Sequence, residues 1–410
     1  MKAIFVRILT AVVCILFFAA FSEEKKVNSA SVPMILDHNR MLVQAEFQQK
    51  DGDRLEARLW VDTGNPDFFM SEAFARKLGI DLTQSKDKIV NGQLEVQPPA
   101  GVRIGGMPLN FEGVKSYVMF GPVWLFSAMH NDANLPSTVL KRYQVIYDYP
   151  KRELTLAEPG SLKPRGKRSS ASINPETGIV QLDAVIDGEN LSFALDNGAS
   201  YSFVSDDLLE KLSKRHPEWL RITGAVGCAN MWGWWPPQEA TWPVMRLPEL
   251  KWGSVTLKNI GVVGLPNVFG NGKNVGDWYS QKTARRVDGF FGPNMFKAFR
   301  VEIDYANSAV YFEKDSDFDS NDMDIVGLTL RQQGDGSYQV IGIVSKDGKP
   351  VVDGVVPGDI LVQVDGFKTT GATMGTVVDA LRGKPGDVRT IELERNGKRF
   401  TVKATVKRLL

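Results

Sequence analysis

The chain repeats itself, and that repeat limits what it can fold into more than any other feature. LWVDTGNPDFF, Leu59 to Phe69, has its echo in LSFALDNGASYSFVSDDLLEKL, Leu191 to Leu212. In each copy an apolar strand ends in Asp-x-Gly, and nine residues after the Asp a Ser opens a short helix: Asp62 to Ser71, and Asp196 to Ser205. Each Ser suits an N-cap, and the acids that follow it, Glu72 in one copy and Asp206 and Asp207 in the other, suit the positive end of a helix dipole. Upstream, Asp51-Gly52 and Asp187-Gly188 are hairpin signals between alternating segments. Downstream, Asp132 to Leu156 and Asp288 to Phe312 align without a gap, each carrying Asp-Tyr at a strand turn, Asp148-Tyr149 and Asp304-Tyr305. From Asp62 to Asp132 is 70 residues and from Asp196 to Asp288 is 92, so the second copy holds 22 extra.

Composition places the boundaries. A segment rich in Pro, Gly, Lys and Ser, EPGSLKPRGKRSSAS, separates the copies, and an acidic run, EKDSDFDSNDMD, closes the second. The chain divides into a first copy at 33–157, a linker at 158–172, a second copy at 173–314, an acidic linker at 315–324 and a C-terminal unit at 325–410. In the acidic run Ser320 and Val326 stand where an EF-hand loop needs its central Gly and final Glu, so it reads as a solvated linker. Residues 1–22 have the layout of a secretory signal: Lys2 and Arg7 precede the apolar segment Ile8 to Phe21, and Ala20 and Ser22 suit a cleavage site. The expectation is an exported chain, periplasmic or secreted, with no stable membrane insertion after signal cleavage. Cys228 is then the single remaining cysteine, which leaves no internal disulfide. Lys plus Arg number 49 against 48 for Asp plus Glu, so there is no long-range field to attract nucleic acid, and no such partner is expected.

The C-terminal unit resembles a PDZ domain through VGLTL (Val326 to Leu330), VVDGVVPGDILVQVDG (Val351 to Gly366) and ALRGKPGDVRTIELERNGK (Ala380 to Lys398). The resemblance implies a peptide groove at Val326, Gly327, Leu328 and Thr329, lined by a helix over Thr373 to Leu381. Its partner would be a ligand with a free C-terminus or an exposed strand. A glycine between apolar residues lets successive amides face a terminal carboxylate.

The duplicated part, roughly 33 to 314, resembles the retropepsin-like aspartic proteases. The match runs through Asp62-Thr63-Gly64, Asp196-Asn197-Gly198-Ala199-Ser200 and Phe290-Phe291-Gly292. It implies a mainly β fold, two acid-protease β-barrel lobes in one chain plus the PDZ domain. Asp62 and Asp196 are the implied catalytic pair, with Thr63, Gly64, Asn197, Gly198 and Gly292 supporting their loops. Two adjacent carboxylates share one proton. The ionised member takes a proton from water as it attacks a peptide carbonyl, while the protonated member stabilises the oxyanion. Such chemistry needs no metal, cofactor or nucleophilic side chain, which suits a chain with three histidines, no HExxH and no GxSxG. Three positions depart from the pattern. Asn197 stands where Thr or Ser is usual, Pro136 aligns with Gly292, and Asn65-Pro66 follows Gly64.

The expected function is an exported aspartic endopeptidase acting on protein or peptide substrates, most readily at mildly acid pH. The alternative is an inactive protease-like scaffold that binds peptides without cutting them. Six of the nine tryptophans fall between Trp232 and Trp278, either as a flap over the cleft or as packing of the longer second copy. GNGKNVG (Gly270 to Gly276) lacks the Ser or Thr of a phosphate loop, Cys228 reads as a small buried residue, and His216 as a helix end.

Overall fold

The duplicated Asp-Tyr block decides how the two copies meet. The strand Gln144–Asp148 of the first pairs antiparallel with Phe299–Asp304 of the second, centred on Ile146 opposite Glu302, two positions that are counterparts in the repeat. Glu153–Ala157 and Ala309–Lys314 extend the sheet on either side, and Ser29–Pro33 and Lys167–Ser170 complete six strands. This computed structural model describes residues 27–83, 89–121, 124–231, 237–266, 275–316, 319 and 321–410. The signal-like segment 1–22, most of WGWWPP and the first part of GNGKNVG lie outside the described residues.

On each side of the shared sheet sits a barrel-like lobe, and the described chain is mainly β. In the second lobe Val180–Ile186 pairs both with Glu189–Leu195 and with Pro243–Trp252, which curls the sheet onto itself. The turn between the first two of these strands is Asp187-Gly188, with φ of 51° and 76°, the left-handed pair that a two-residue hairpin requires. Both lobes run the strand carrying the repeated Asp alongside a later parallel strand. Arg54–Asp62 lies beside Ala133–Pro136, with Pro136 opposite Asp62, and Glu189–Leu195 lies beside Gly289–Phe291. The helices Glu72–Lys77 and Asp206–Arg215 follow, with Ser71 and Ser205 hydroxyls accepting from the amides of Phe74 and Leu208. His216 ends the second of these helices.

The C-terminal unit is a six-stranded sheet with one helix, Met374–Leu381, and it is seated on both lobes. Thr373 Oγ1 and the Gly375 amide donate to Asp37 of the first lobe, and the Met374 amide donates to Ala128 O at 2.8 Å. Thr223 of the second lobe pairs in register with Ser345. Gly227, in the short helical turn Gly227–Ala229, packs against Ile325 and Val378, and Gly224 lies beside Thr329 and Val344. This seating bears on the expected peptide groove and on the acidic linker. The strand Leu328–Gln332 has both of its faces buried, and Val326, Gly327, Leu328 and Thr329 are all interior. Alternate residues of a strand point to opposite faces, so the unit's own core covers one face, while Gly224, Gly227 and Ala240 of the second lobe pack against the unit beside Thr329, Ile325 and Gly342. The amides of Val326 and Leu328 donate within the chain, to Leu381 O and Val326 O. In the acidic run Asp319 pairs with Arg382, Asp322 with Arg246 and the Tyr201 hydroxyl, and Asp324 with Arg408, while Asp315 and Asp319 stay exposed. The cations on these three acids come from the units the run joins.

Among the described residues no helix is long and apolar enough to cross a membrane. A methyl group built on Gly342 would lie 2.3 Å from Ala240 Cβ, so the seating leaves no room for a side chain. Gly342→Val is therefore expected to lower stability by about 1–3 kcal/mol, read as a reduced denaturant midpoint. A midpoint equal to that of the wild type would contradict the seating.

Candidate active site

Asp62 and Asp196 each sit where an apolar strand ends at the lobe boundary, and the structure brings them together. A methyl built on Gly64 would lie 2.2 Å from Asp196 Cγ, and one built on Gly198 would lie 2.2 Å from Asp62 Oδ1. Each loop's glycine is thus the space that the other loop's carboxylate occupies. Each carboxylate also accepts from its own loop: Asp62 Oδ1 from the Gly64 amide at 3.1 Å, and Asp196 Oδ1 from the Gly198 and Ala199 amides at 3.0 and 3.1 Å. The exposures are 4% and 8%, so both acids are desolvated.

The second residue of each loop ties the pair of loops together. Thr63 Oγ1 donates to Leu195 O at 3.0 Å and accepts from the Asn197 amide at 3.0 Å, while the Thr63 amide donates to Asn197 Oδ1 at 2.9 Å. Asn197 therefore supplies an acceptor across the axis. Its Nδ2, however, and the hydroxyls of Tyr147 and Tyr149, are buried without a direct hydrogen bond. Burial pushes both phenols well above their ordinary ionisation range, and the nearby Asn197 amide pulls the other way. Gly292 lies against the loop that follows Asp196: a methyl on it would meet Tyr201 O at 2.3 Å. Its amide donates to Ser202 Oγ at 3.0 Å. In the first lobe the counterparts are Pro136, which has no amide hydrogen, and Phe68, which has no hydroxyl, so donor and acceptor are absent together.

Each lobe also reaches across to brace the opposite loop. Tyr279 Oη donates to Gly64 O at 2.7 Å, Asn39 Nδ2 to Ser200 O at 2.9 Å, and Arg40 Nε to Gly198 O at 2.7 Å. Arg40 is the residue with most effect that sequence reasoning missed. It closes a polar tetrad, DHNR, and opens an apolar strand, where a cation reads as solvated, yet it is 2% exposed and its guanidinium lies 5.6 Å from the Trp60 ring centre. It also donates to His38 Nδ1 at 2.8 Å, and His38 Nε2 meets Gly227 O at 3.1 Å, which assigns the imidazole proton to Nε2. Burial, then the Arg40 charge, hold His38 well below the usual histidine range, so it is neutral. Burial lowers Arg40 to about 10, against the pull of both aspartates, so it is a cation at neutral pH.

The two acids are not equivalent. Burial, then the charge of Asp196, push Asp62 well above the carboxylate range. Burial raises Asp196 too, to about 6, but the Ala199 and Gly198 amides and Arg40 hold it down. Asp62 is therefore the member that keeps the proton and Asp196 the member that ionises first. Around them is a cavity of about 300 Å³, walled by Trp60, Phe69, Phe203, Tyr279 and Phe290, with Arg40 and Lys282 as its cations. Gln93 reaches it from a tight turn at Asn91-Gly92 and Met231 from the longer second copy, so both lobes overhang the acids. Of the six clustered tryptophans, Trp278 lines this cavity while Trp242 and Trp252 are core residues. Cys228 is a partly buried thiol raised by burial to about 11, and among the described residues no cluster of His, Cys, Asp and Glu is placed to hold a metal.

No protein-family model matches the chain, and no curated protein matches it. Among solved structures, an aspartic proteinase from Irpex lacteus is similar at 14% identity and a TM-score of 0.39, over 70% of this chain and 98% of that one.

Burial of Asp62 has a measurable consequence apart from any activity. Its folded value lies above the unfolded 3.8, so the fold binds a proton that the unfolded chain has released, and stability falls as pH rises between the two values. Asp62→Asn removes that loss. Its melting temperature is expected to gain on the wild type by a few degrees as pH rises above the unfolded value of 3.8. A pH-independent difference would contradict the assignment.

Proposed function

We propose that the chain is an aspartic endopeptidase that hydrolyses peptide bonds with water activated by Asp62 and Asp196. The observation that carries this reading is the mutual packing of Gly64 and Gly198 on the opposite carboxylates, which holds two unequal acids in one desolvated place. In the singly protonated pair, Asp196 accepts a proton from water as the water oxygen bonds to the peptide carbonyl carbon. Asp62 donates its proton toward the carbonyl oxygen as that oxygen gains charge. Collapse of the tetrahedral species breaks the C–N bond as the proton taken up by Asp196 passes to the departing amine, and the proton on the former carbonyl oxygen returns to Asp62 as the C=O bond re-forms, which restores the singly protonated pair. The loop amides on Asp196 and the Arg40 charge favour its ionised state, which is the state a base must start from.

Export to a periplasm or the exterior belongs to the same reading and rests on residues 1–22. So does a PDZ-type role for the C-terminal unit. Since its expected groove residues are interior, a ligand with a free C-terminus reaches them only when the contacts of Gly224, Gly227 and Ala240 with the unit open. In the seated state the unit acts as a brace, holding Asp37 and, next to it, the strand that carries Arg40.

A second reading, a peptide-binding scaffold without turnover, is favoured by one observation. A permanent cation bonded to the Asp196 loop biases the pair toward losing its shared proton. Cleavage of an unfolded protein separates the two. The raised values move the expected optimum from mildly acid toward neutral pH. The acid limb should lie near 6, where Asp196 is protonated, and the alkaline limb should follow the loss of the Asp62 proton. Asp62→Asn and Asp196→Asn are each expected to reduce kcat/KM at least about a hundredfold. Cleavage that survives both changes overturns the proposal, and a wild type that binds peptide but cuts none across the range supports the scaffold.

A further inference from the structure

The cavity beside the acids has two cations of different standing. Arg40 is committed to Gly198 O and His38. Lys282 is not. Its backbone is pinned, with its amide donating to Tyr279 O at 2.9 Å and its carbonyl accepting from Thr177 Oγ1 at 2.6 Å, so the side chain starts from a fixed point on the cavity wall. Its ammonium lies 5.4 Å from the ring centre of Trp278, another wall residue. It makes no ion pair or hydrogen bond with a carboxylate of the described residues. Asp62, Asp196 and Asp67 feel its charge through space, but the first two share one proton in the reading above and Asp67 is not part of the wall.

An ammonium among aromatic walls, with its donors uncommitted, is a poor neighbour for an apolar side chain and a good one for an anion. The aromatic face fixes its position by cation–π attraction without neutralising it. A carboxylate arriving there gains a charge-assisted hydrogen bond. We propose that Lys282 binds a carboxylate of the substrate, so that the cleft takes acidic peptides. That carboxylate is either a Glu or Asp side chain near the scissile bond or the free C-terminus of a short peptide. This rests on the endopeptidase reading for its cleavage consequence, but the carboxylate contact itself requires only the cavity. The competing account is a lysine that merely lies along an aromatic ring with its ammonium in solvent.

The test uses the full chain and two matched sets of unstructured peptides. One set exchanges Glu for Gln at successive positions around a common core, and the other exchanges a C-terminal acid for the amide. Both kcat/KM and, with Asp196→Asn protein, Kd are measured. Wild type is expected to favour the carboxylate form by about tenfold in one of the sets, and the set in which the preference appears identifies the carboxylate. Lys282→Met should bring that ratio close to unity, and Lys282→Glu should invert it toward a Lys-bearing peptide. Preference in binding without any cleavage sustains the carboxylate contact and removes the endopeptidase reading. Cleavage with ratios near unity in both sets, in kcat/KM and in Kd, overturns the contact and leaves the endopeptidase reading in place.

Discussion

Two loops that leave out their own side chains so that each can hold the other's carboxylate set the terms for the rest of the molecule. A single methyl at Gly64 or Gly198 would overlap an aspartate, so the lobes meet only with both positions bare. The shared six-stranded sheet fixes the axis, because counterpart residues pair across it, and the strands ending at Asp62 and Asp196 deliver the acids to that axis from either side. Burial then makes two adjacent negative charges costly, and a retained proton is the least expensive resolution. The asymmetry follows from the loops: Asp196 has two amides on one oxygen and Arg40 behind it, and Asp62 has one amide.

Much of the remaining structure holds that arrangement in place. Four consecutive residues at the turn before a first-lobe strand touch every neighbouring part: Asp37 meets the N-terminus of the C-terminal helix, His38 the carbonyl of Gly227, Asn39 the carbonyl of Ser200 and the ammonium of Lys297, and Arg40 the carbonyl of Gly198. Both turn residues, His38 and Asn39, have positive φ, 48° and 62°, which only a well-supported turn sustains in non-glycine residues. Displacing the C-terminal unit would remove the partners of Asp37 and disturb a turn whose last residue bears on the Asp196 loop. Contact therefore runs from the C-terminal unit through Asp37 and its turn to the loop of the ionising acid.

The repeat made the lobes legible, because an apolar strand, Asp-x-Gly and a capped helix recur at equal spacing, and local chemistry alone forms each of them. The ungapped match of the two distal blocks aligns Pro136 with Gly292, and the structure adds that Pro136 lies opposite Asp62. What sequence could not show was charge in unexpected places. Arg40 sits in a polar tetrad that resembles a surface turn, and Lys282 lies in an ordinary loop after a short helix, so neither has a periodic or spacing signal. The groove of the C-terminal unit misled for a related reason. Val326 to Thr329 carry the pattern of a peptide-binding strand, but whether another part of the chain packs beside it is decided by tertiary contacts such as those of Gly224, Gly227 and Ala240. The acidic run likewise reads as solvated until its cationic partners, Arg246, Arg382 and Arg408, fold back on it.

Carboxyl titration in the intact chain, with carbon-13 in the aspartate side chains and Asp62→Asn and Asp196→Asn to assign the signals, bears most directly on the shared proton. At neutral pH the account expects one carboxyl of the pair to be ionised and the other still neutral, with the neutral signal belonging to Asp62. Two signals that titrate independently in the ordinary aspartate range would contradict it.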